Sequence, residues 1–222
     1  MPDIIYEDNH LIVINKPVGK LVQGDATGDE PLSETVKSYI KKKYNKPGNV
    51  YLGVVHRLDR PTSGVLLFAK TSKALSRLNK QFSERETRKT YWALVENKPE
   101  KERGRLVHHL KRNTKQNKSY AYPKPIKGSK RAVLNYSWIK SLNHYHLLEI
   151  DLETGRHHQI RAQLANIGCV IKGDLKYGAK RSNNDGGIHL HAKTLQIKHP
   201  VKKDTMTFEA SLPKNKLWQA CL

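Results

Sequence analysis

The 222-residue sequence is poor in cysteine, in acidic residues and in long apolar runs, and each shortage excludes a class of protein. Its two cysteines, Cys169 and Cys221, are too few for a disulfide framework or a four-thiolate zinc site. No stretch approaches the ~18 apolar residues of a membrane-spanning helix. The N-terminus has neither a basic region nor a long apolar segment, so secretion is not expected. We therefore expect a reduced, cytoplasmic protein without a membrane span.

The shortage of acids leaves a large positive charge. Lysine and arginine number 41 against 20 acids, which gives a formal net charge of +21 and a pI of about 9.9. This pI exceeds the ~9 that is typical of nucleic-acid-binding domains. Because net charge indicates partners and not fold, it favours a polyanion as the partner, with an anionic membrane surface as the alternative.

Strand patterns outnumber helix patterns along the chain. Alternating or continuous apolar runs bounded by turn formers predict strands at 4–6, 11–14, 54–55, 65–69, 89–97, 132–141, 145–153 and 205–213. Apolar residues at helical spacing predict helices at 31–44, 71–82 and 156–168, with Thr71 or Ser72 as the cap of the second helix. Because the two kinds do not alternate strictly, we expect an α+β fold with a mixed or mainly antiparallel central sheet flanked by helices. The length suits a single domain over residues 1–222.

The segment 101–131 differs from the rest in composition. It holds eleven lysines or arginines and one acid, Glu102, with little apolar periodicity but with Tyr120 and Tyr122. It is either a solvated loop or a basic hairpin that follows a phosphate backbone, since such grooves combine cations with stacking aromatics. The second interpretation makes candidate nucleic-acid contacts of Lys111, Arg112, Lys115, Lys118, Lys130 and Arg131.

The stretch "HRLDRPTSG", residues 56–64, places one carboxylate, Asp59, between Arg57 and Arg60. A proline and a glycine follow, which indicates a tight turn. A surface salt bridge in a loop is the plain interpretation. The alternative is an acid that cationic surroundings keep ionised, in a place that also attracts phosphate.

The longer stretch "HRLDRPTSGVLLFAK", residues 56–70, resembles the signature of the RluA-type family of RNA pseudouridine synthases. Further segments resemble the family's other motifs in the same order, at 88–95, 152–168, 171–178 and 188–200. The resemblance covers nearly the whole chain and implies the pseudouridine synthase fold as a single catalytic domain. It also implies a stem-loop of ribosomal or transfer RNA as substrate, no metal and no organic cofactor. The chain is expected to be a short member without the N-terminal S4 domain.

By this resemblance Asp59 is the catalytic acid, Tyr91 the active-site tyrosine, and Arg161 the arginine that pairs with Asp59. Arg57 resembles the residue that enters the RNA stack where the target uridine leaves it, and Arg60 is a further RNA contact. Taken alone, Tyr91 is also consistent with a core tyrosine, and Arg161 with a surface arginine. One departure from the family pattern is His157, where many relatives have threonine.

The chemistry fits a single acid. Pseudouridine formation breaks the bond between uracil N1 and ribose C1′, turns the base and rejoins it through C5. An ionised carboxylate can add to C1′ as a nucleophile or take a proton from C2′ as a base. Glycosidases use two carboxylates and a water, whereas the stretches around Asp59, Tyr91 and Arg161 supply one well-placed acid.

Other interpretations stay open. One alternative is a non-catalytic RNA-binding protein of the same fold, which would keep the motifs but lack turnover. Another is a DNA-directed glycosylase, which would release free base. The histidine pairs match no closed zinc pattern; they are His108 with His109, His157 with His158, and His189 with His191. We expect a monomer with no obligate protein partner.

Overall fold

The computed structural model describes residues 1–25 and 28–222. These residues form two compact units. The first unit comprises Met1–Thr87 and Ala192–Pro213, and the second comprises Arg88–His191 and Lys214–Leu222.

Strands make up most of the regular structure. They are β1 (Ile4–Glu7), β2 (Leu11–Lys16), β3 (Gly53–Val54), β4 (Ser63–Ala69), β5 (Arg88–Val95), β6 (Arg103–Asn113), β7 (Lys118–Tyr122), β8 (Lys130–Ser141), β9 (His146–Leu152), β10 (Leu190–Lys198) and β11 (Thr205–Glu209). The helices are α1 (Leu32–Lys43), α2 (Ser72–Glu84), α3 (Gln159–Asn166) and α4 (Lys216–Gln219), with a 3-10 turn at Leu175–Tyr177. Within the described ranges, no helix is long and apolar enough to span a bilayer.

The first unit is built around β4. This strand pairs antiparallel with β2 and with β3, β1 pairs with β2, and β11 pairs with the 194–198 part of β10. All seven residues of β4 are buried, as is typical of a strand covered on both faces. Leu67 of β4, Leu78 of α2 and Phe208 of β11 share one apolar core.

The second unit is an antiparallel sheet in the order β5, β9, β8, β6, β7. Helix α3 packs beside β6 and β7, where Leu110, Ala162 and Tyr177 form a small apolar cluster. The C-terminal helix α4 buries Trp218, whose ring stacks on His189 with centroids 5.3 Å apart.

The α+β organisation predicted from the sequence is confirmed, as are the first strand pair and helices α1 and α2. Thr71 caps α2 as predicted, since its side-chain oxygen accepts a hydrogen bond of 3.2 Å from the Ala74 N–H. The expectation of a single domain over residues 1–222 stays a prediction.

Three local predictions were wrong. Helix α3 begins at Gln159 and not at residue 156, because His158 has the left-handed φ of 53° and cannot continue a helix. The last predicted strand, at 205–213, is shorter than expected, because β11 ends at Glu209 and helix α4 follows. Strand β10 was not predicted as a strand at all.

Candidate active site

Asp59 lies in the first unit, in the connection between β3 and β4. The Thr62 N–H donates a hydrogen bond of 3.0 Å to the Asp59 carbonyl, which closes a four-residue turn at 59–62. The tight turn indicated by the proline and glycine of the motif is therefore present. Asp59 is half-buried, and Arg57, two residues earlier, is exposed.

The turn rests on a buried lysine that sequence reasoning did not single out. The side chain of Lys16 is fully buried, and its Nζ donates to the carbonyls of Pro17 (3.0 Å), Arg60 (3.1 Å) and Thr62 (2.7 Å). The three carbonyls accept hydrogen bonds from the three N–H donors of the ammonium group. Burial lowers the pKa of Lys16 to about 7; the charge of Asp59 opposes this effect and that of Arg60 adds to it. Lys16 therefore anchors the turn that carries Asp59.

Arg60 ties the same turn to a neighbouring loop. Its Nε donates to the Gly19 carbonyl at 3.0 Å, and the Gly19 N–H donates back to the Arg60 carbonyl at 2.9 Å. Its Nη1 also pairs with Asp29 at 2.8 Å, where both side chains are about half exposed. Arg60 is thus held by a surface salt bridge to Asp29 and by the loop at Gly19.

The glycine of the motif has a steric role. Gly64 has a φ of 117°, and a Cβ built on it would overlap the backbone of Ala192. A glycine at this position lets two strands approach closely, which a residue with a side chain would prevent.

Tyr91 and Arg161 lie in the second unit. Tyr91 is buried in β5, opposite Ile150 of β9. Arg161 is a buried residue of α3, with 5% of its side chain exposed, and so it is not the surface arginine of the alternative interpretation.

Arg161 forms a buried ion pair with a carboxylate that sequence reasoning missed. Its Nε donates to Oδ2 of Asp174 at 2.7 Å and its Nη2 donates to Oδ1 at 2.8 Å. This is the two-point geometry that a guanidinium favours. The guanidinium carbon also lies 5.0 Å from the ring centroid of Tyr177. A possible signal was the segment 171–178, which contains both Asp174 and Tyr177.

The predicted RNA contacts in the basic segment lie on adjacent strands of the second unit. Lys111 and Arg112 belong to β6, Lys115 to the connection that follows, Lys118 to β7, and Lys130 and Arg131 to the start of β8. All are exposed except Lys118, which is half-buried. The segment is therefore a hairpin of two antiparallel strands and not a solvated loop.

Several of the histidines considered for a metal site are hydrogen-bonded to other protein groups. His157 bonds to Ser119 at 2.9 Å, and His158 bonds to the Tyr177 hydroxyl at 3.0 Å. His189 bonds to Asn183 at 2.9 Å. Across residues 1–25 and 28–222, no three histidine, cysteine, aspartate or glutamate side chains are grouped to hold a metal ion.

Comparison with known proteins identifies the family. Residues 10–166 match the family described as RNA pseudouridylate synthase. The chain is 33% identical to ribosomal large subunit pseudouridine synthase D of Zymomonas mobilis, over 96% of this chain and 70% of that protein. It is 32% identical to tRNA pseudouridine synthase C of Pectobacterium carotovorum, over 95% of this chain and 59% of that protein. It thus spans about two thirds of the length of the curated relatives that it matches.

A solved structure supports the same fold. Human RNA Pseudouridylate Synthase Domain Containing 4 matches with a TM-score of 0.80 and 23% identity, over 99% of this chain and 92% of that one. The pseudouridine synthase fold implied by the sequence motifs is confirmed by this match. The chain therefore belongs to the RNA pseudouridylate synthase family, whose members are isomerases that convert uridine in RNA to pseudouridine.

Proposed function

We propose that this chain isomerises specific uridines in structured RNA to pseudouridine, and that Asp59 is its catalytic acid. The observation that supports Asp59 most strongly is the turn that holds it. Lys16 binds that turn through two of its carbonyls and the Thr62 N–H closes it, so the carboxylate is displayed on rigid backbone. Preorganisation of this kind is what a residue acting on a single sugar carbon requires.

In the proposed reaction the bond between uracil N1 and ribose C1′ breaks first. Asp59, ionised, either adds to C1′ or takes a proton from C2′. The uracil then turns and C5 bonds to C1′. This bond displaces the Asp59 carboxylate from C1′ in the first route, and in the second it forms as Asp59 returns the proton to C2′. The proton at C5 then leaves, while N1 gains a proton. Because the product is an isomer, no water is consumed and the base never leaves the site. Tyr91 would stack on the uracil and accept the C5 proton.

Arg161 would keep the carboxylate of Asp59 in its ionised form. Asp174 engages Nε and Nη2 of the guanidinium and so fixes its plane. We propose that the guanidinium of Arg161 also pairs with Asp59; this pairing, which the family resemblance implied, stays a prediction. Asp174 would then position Arg161 and take no part in the bond changes, so that Asp59 remains the one reacting acid.

A uridine within a stem must leave the stack to reach Asp59, at a cost of about a few kcal/mol. Arg57 is exposed and two residues from Asp59. We propose that its planar guanidinium fills the vacated position by stacking on the neighbouring bases. Arg60 and the hairpin cations would bind the flanking phosphates.

The relatives' names indicate the RNA class. One relative is named for the large ribosomal subunit and another for transfer RNA. We propose a stem-loop of ribosomal or transfer RNA as the substrate, modified in the cytoplasm by a monomer without an obligate protein partner. Mapping pseudouridine in total cellular RNA with and without the gene would identify the modified uridine. Sedimentation at working concentration would test whether the protein is a monomer.

The decisive test is Asp59→Asn, assayed by tritium release from uracil C5. We expect turnover to be abolished while RNA affinity stays within about twofold, because binding rests mainly on phosphate contacts. Asp204→Asn, an exposed change of the same charge in the same unit, should retain full turnover. Activity in the Asp59→Asn variant would remove Asp59 from the mechanism.

The same assay separates the competing functions. A non-catalytic RNA-binding protein would release no tritium in either form. A glycosylase would release free base, which an isomerase retains on the RNA. Chromatography of the reaction products distinguishes free base from retained base.

A further inference from the structure

The hairpin formed by β6 and β7 has two faces of different character. In the antiparallel register Lys111 lies opposite Tyr120. His109 lies opposite Tyr122 in the same register. Residues that are directly opposite each other share a face, and successive residues alternate between faces. Lys111, Tyr120 and Tyr122 therefore lie on one face, which we call the tyrosine face.

The opposite face of the hairpin is closed at Leu110 and Ser119, whereas Arg112, which lies opposite Ser119, is exposed and contributes to the notch. This face carries Ser119, which is 2% exposed, and whose N–H donates to the Tyr177 hydroxyl at 2.9 Å. That hydroxyl donates back to the Ser119 carbonyl at 3.1 Å. The Ser119 hydroxyl bonds to His157 at 2.9 Å, and Leu110 packs in the cluster with Ala162 of α3. These contacts hold one face of the hairpin against α3 and the 3-10 turn of the same unit. The tyrosine face is therefore directed away from these two elements.

The tyrosine face borders a notch of about 400 Å³. Its walls are formed by Lys111, Arg112, Asn113, Thr114, Lys115, Tyr120 and Tyr122. The notch is open to solvent, so it suits a segment of a polymer and not an enclosed small molecule. Every charged residue in this lining is positive, so the notch favours an anion.

Both tyrosine rings line the notch, and Nζ of Lys118 lies 5.4 Å from the ring centroid of Tyr120. Tyr120 is 38% exposed, and its hydroxyl donates to Gln116 at 2.6 Å, which fixes the ring at the hairpin end. Tyr122 is half-buried and lies in the wall of the notch. Exposed rings beside lysines are what single-stranded RNA recognition uses, because rings stack on bases while cations bind phosphates.

We propose that this notch binds one or more unpaired nucleotides of the RNA substrate, whose bases stack on Tyr120 and Tyr122 and whose phosphates contact Lys111, Arg112 and Lys115. The proposal rests on the proposed function for the identity of the polymer, and it narrows the substrate to RNA with a single-stranded segment near the target uridine. Duplex RNA does not suit the notch. Its bases are already stacked on one another, and it presents mainly phosphates and 2′-hydroxyls.

The test compares two RNA probes with the full chain at one salt concentration. One probe is a single-stranded oligouridylate of about eight nucleotides, within the span of known single-strand sites. The other is a blunt RNA duplex of about 16 base pairs, the length that a duplex-binding domain covers. Replacing each tyrosine by leucine should weaken oligouridylate binding at least about fivefold per ring. Duplex affinity and the salt slope should stay unchanged, since no charge is removed.

Phenylalanine variants are the matched controls. Tyr120→Phe and Tyr122→Phe keep the rings and lose the hydroxyls, so both should bind oligouridylate within about twofold of the parent. Thermal midpoints are measured for every variant, because a hairpin that had loosened would lose affinity for both probes. Wild-type oligouridylate binding by the leucine variants would overturn the proposal, as would an equal loss on the two probes.

The outcome can be separated from that of the proposed function. Tritium release that depends on Asp59, together with leucine variants that bind oligouridylate normally, refutes the notch alone. Loss of oligouridylate binding in the leucine variants supports the notch even if the parent shows no turnover, a result that would refute the isomerase and leave an RNA-binding protein.

Discussion

Charges are buried at several single residues, and each is surrounded by hydrogen-bonding partners. Lys16 is buried against backbone carbonyls, and Glu7 against cations and phenols. Burying a charge is costly unless such partners are present. These residues therefore stabilise the first unit only as long as their protonation states and partners are kept.

Glu7 predicts a pH dependence of stability. Burial alone would raise the pKa of Glu7, but hydrogen bonds from Lys43, Lys70 and Tyr44 outweigh it and lower the pKa from 4.5 to about 2. A group whose pKa is lower in the folded state stabilises the fold above the unfolded value and loses this effect as the pH falls through the folded value. Glu7→Gln should therefore reduce the free energy of unfolding at pH ~7 by about 1–3 kcal/mol.

The difference between Glu7→Gln and the parent should shrink between pH ~4.5 and ~2, measured by urea unfolding. Glu34→Gln is the control, because Glu34 makes an exposed pair with Lys37 that is worth about 0.5 kcal/mol or less. A difference that stays constant across this pH range would contradict the role assigned to Glu7.

Arg161 and Arg105 offer a matched pair of tests. Both make two-point contacts to a carboxylate, Arg161 to buried Asp174 and Arg105 to partly exposed Glu153. Replacing Arg161 by lysine keeps the charge but loses the planar geometry, so we expect a fall in turnover of about tenfold or more. Arg105→Lys should leave turnover within about twofold, since exposed pairs contribute little. Equal rates in the two variants at a temperature where both are folded would exclude a special role for Arg161.

Among the elements, the β6–β7 hairpin shows how a segment with little apolar periodicity still forms strands. Its pairing with β8 continues over eight residue pairs from Arg103 to Leu110. The hairpin is therefore an extension of the sheet of the second unit, and its cations project from a rigid element.

This geometry predicts where the salt dependence of RNA binding arises. Changing Lys111, Arg112 and Lys115 to glutamine together should reduce the slope of log affinity against log salt by about 2, at ~0.7 per contact for single strands. The control changes Lys41, Lys42 and Lys46, which are exposed lysines in and just after α1, and should leave the slope nearly unchanged. A similar fall for both triple variants would indicate that net charge and not the hairpin sets the affinity.

For the molecule as a whole, the net charge of +21 acts in opposite directions on stability and on binding. Salt screens repulsion among like charges, so the thermal midpoint should rise between ~10 and ~150 mM salt. RNA affinity should instead fall about a thousandfold between ~50 and ~200 mM if about six phosphates are contacted. Thermal melting and equilibrium binding over one salt series measure both. A midpoint that falls with salt would show that ion pairs outweigh the repulsion.

Local sequence was sufficient for the features that depend on neighbouring residues. The β1–β2 pair, α1 and α2 follow from periodicity and turn formers, and Thr71 caps α2 as its residue type indicates. The tight turn at Asp59 follows in the same way from the proline and glycine of its motif. The residues of this turn also belong to the first family motif. The family resemblance could be recognised without a structure, because it depends only on short motifs and their order in the sequence.

Features that join distant parts of the chain could not be read in this way. Lys16 is an ordinary lysine in the sequence, and only folding brings it to carbonyls 44 and 46 residues away. Arg161 and Asp174 are 13 residues apart, and their pair forms only when the 3-10 turn that follows Asp174 packs beside α3. Strand β10 went unpredicted, and α3 starts late because a left-handed His158 precedes it. Periodicity records which residues are apolar, whereas three-dimensional packing determines which charges are buried together and which face of the hairpin stays exposed.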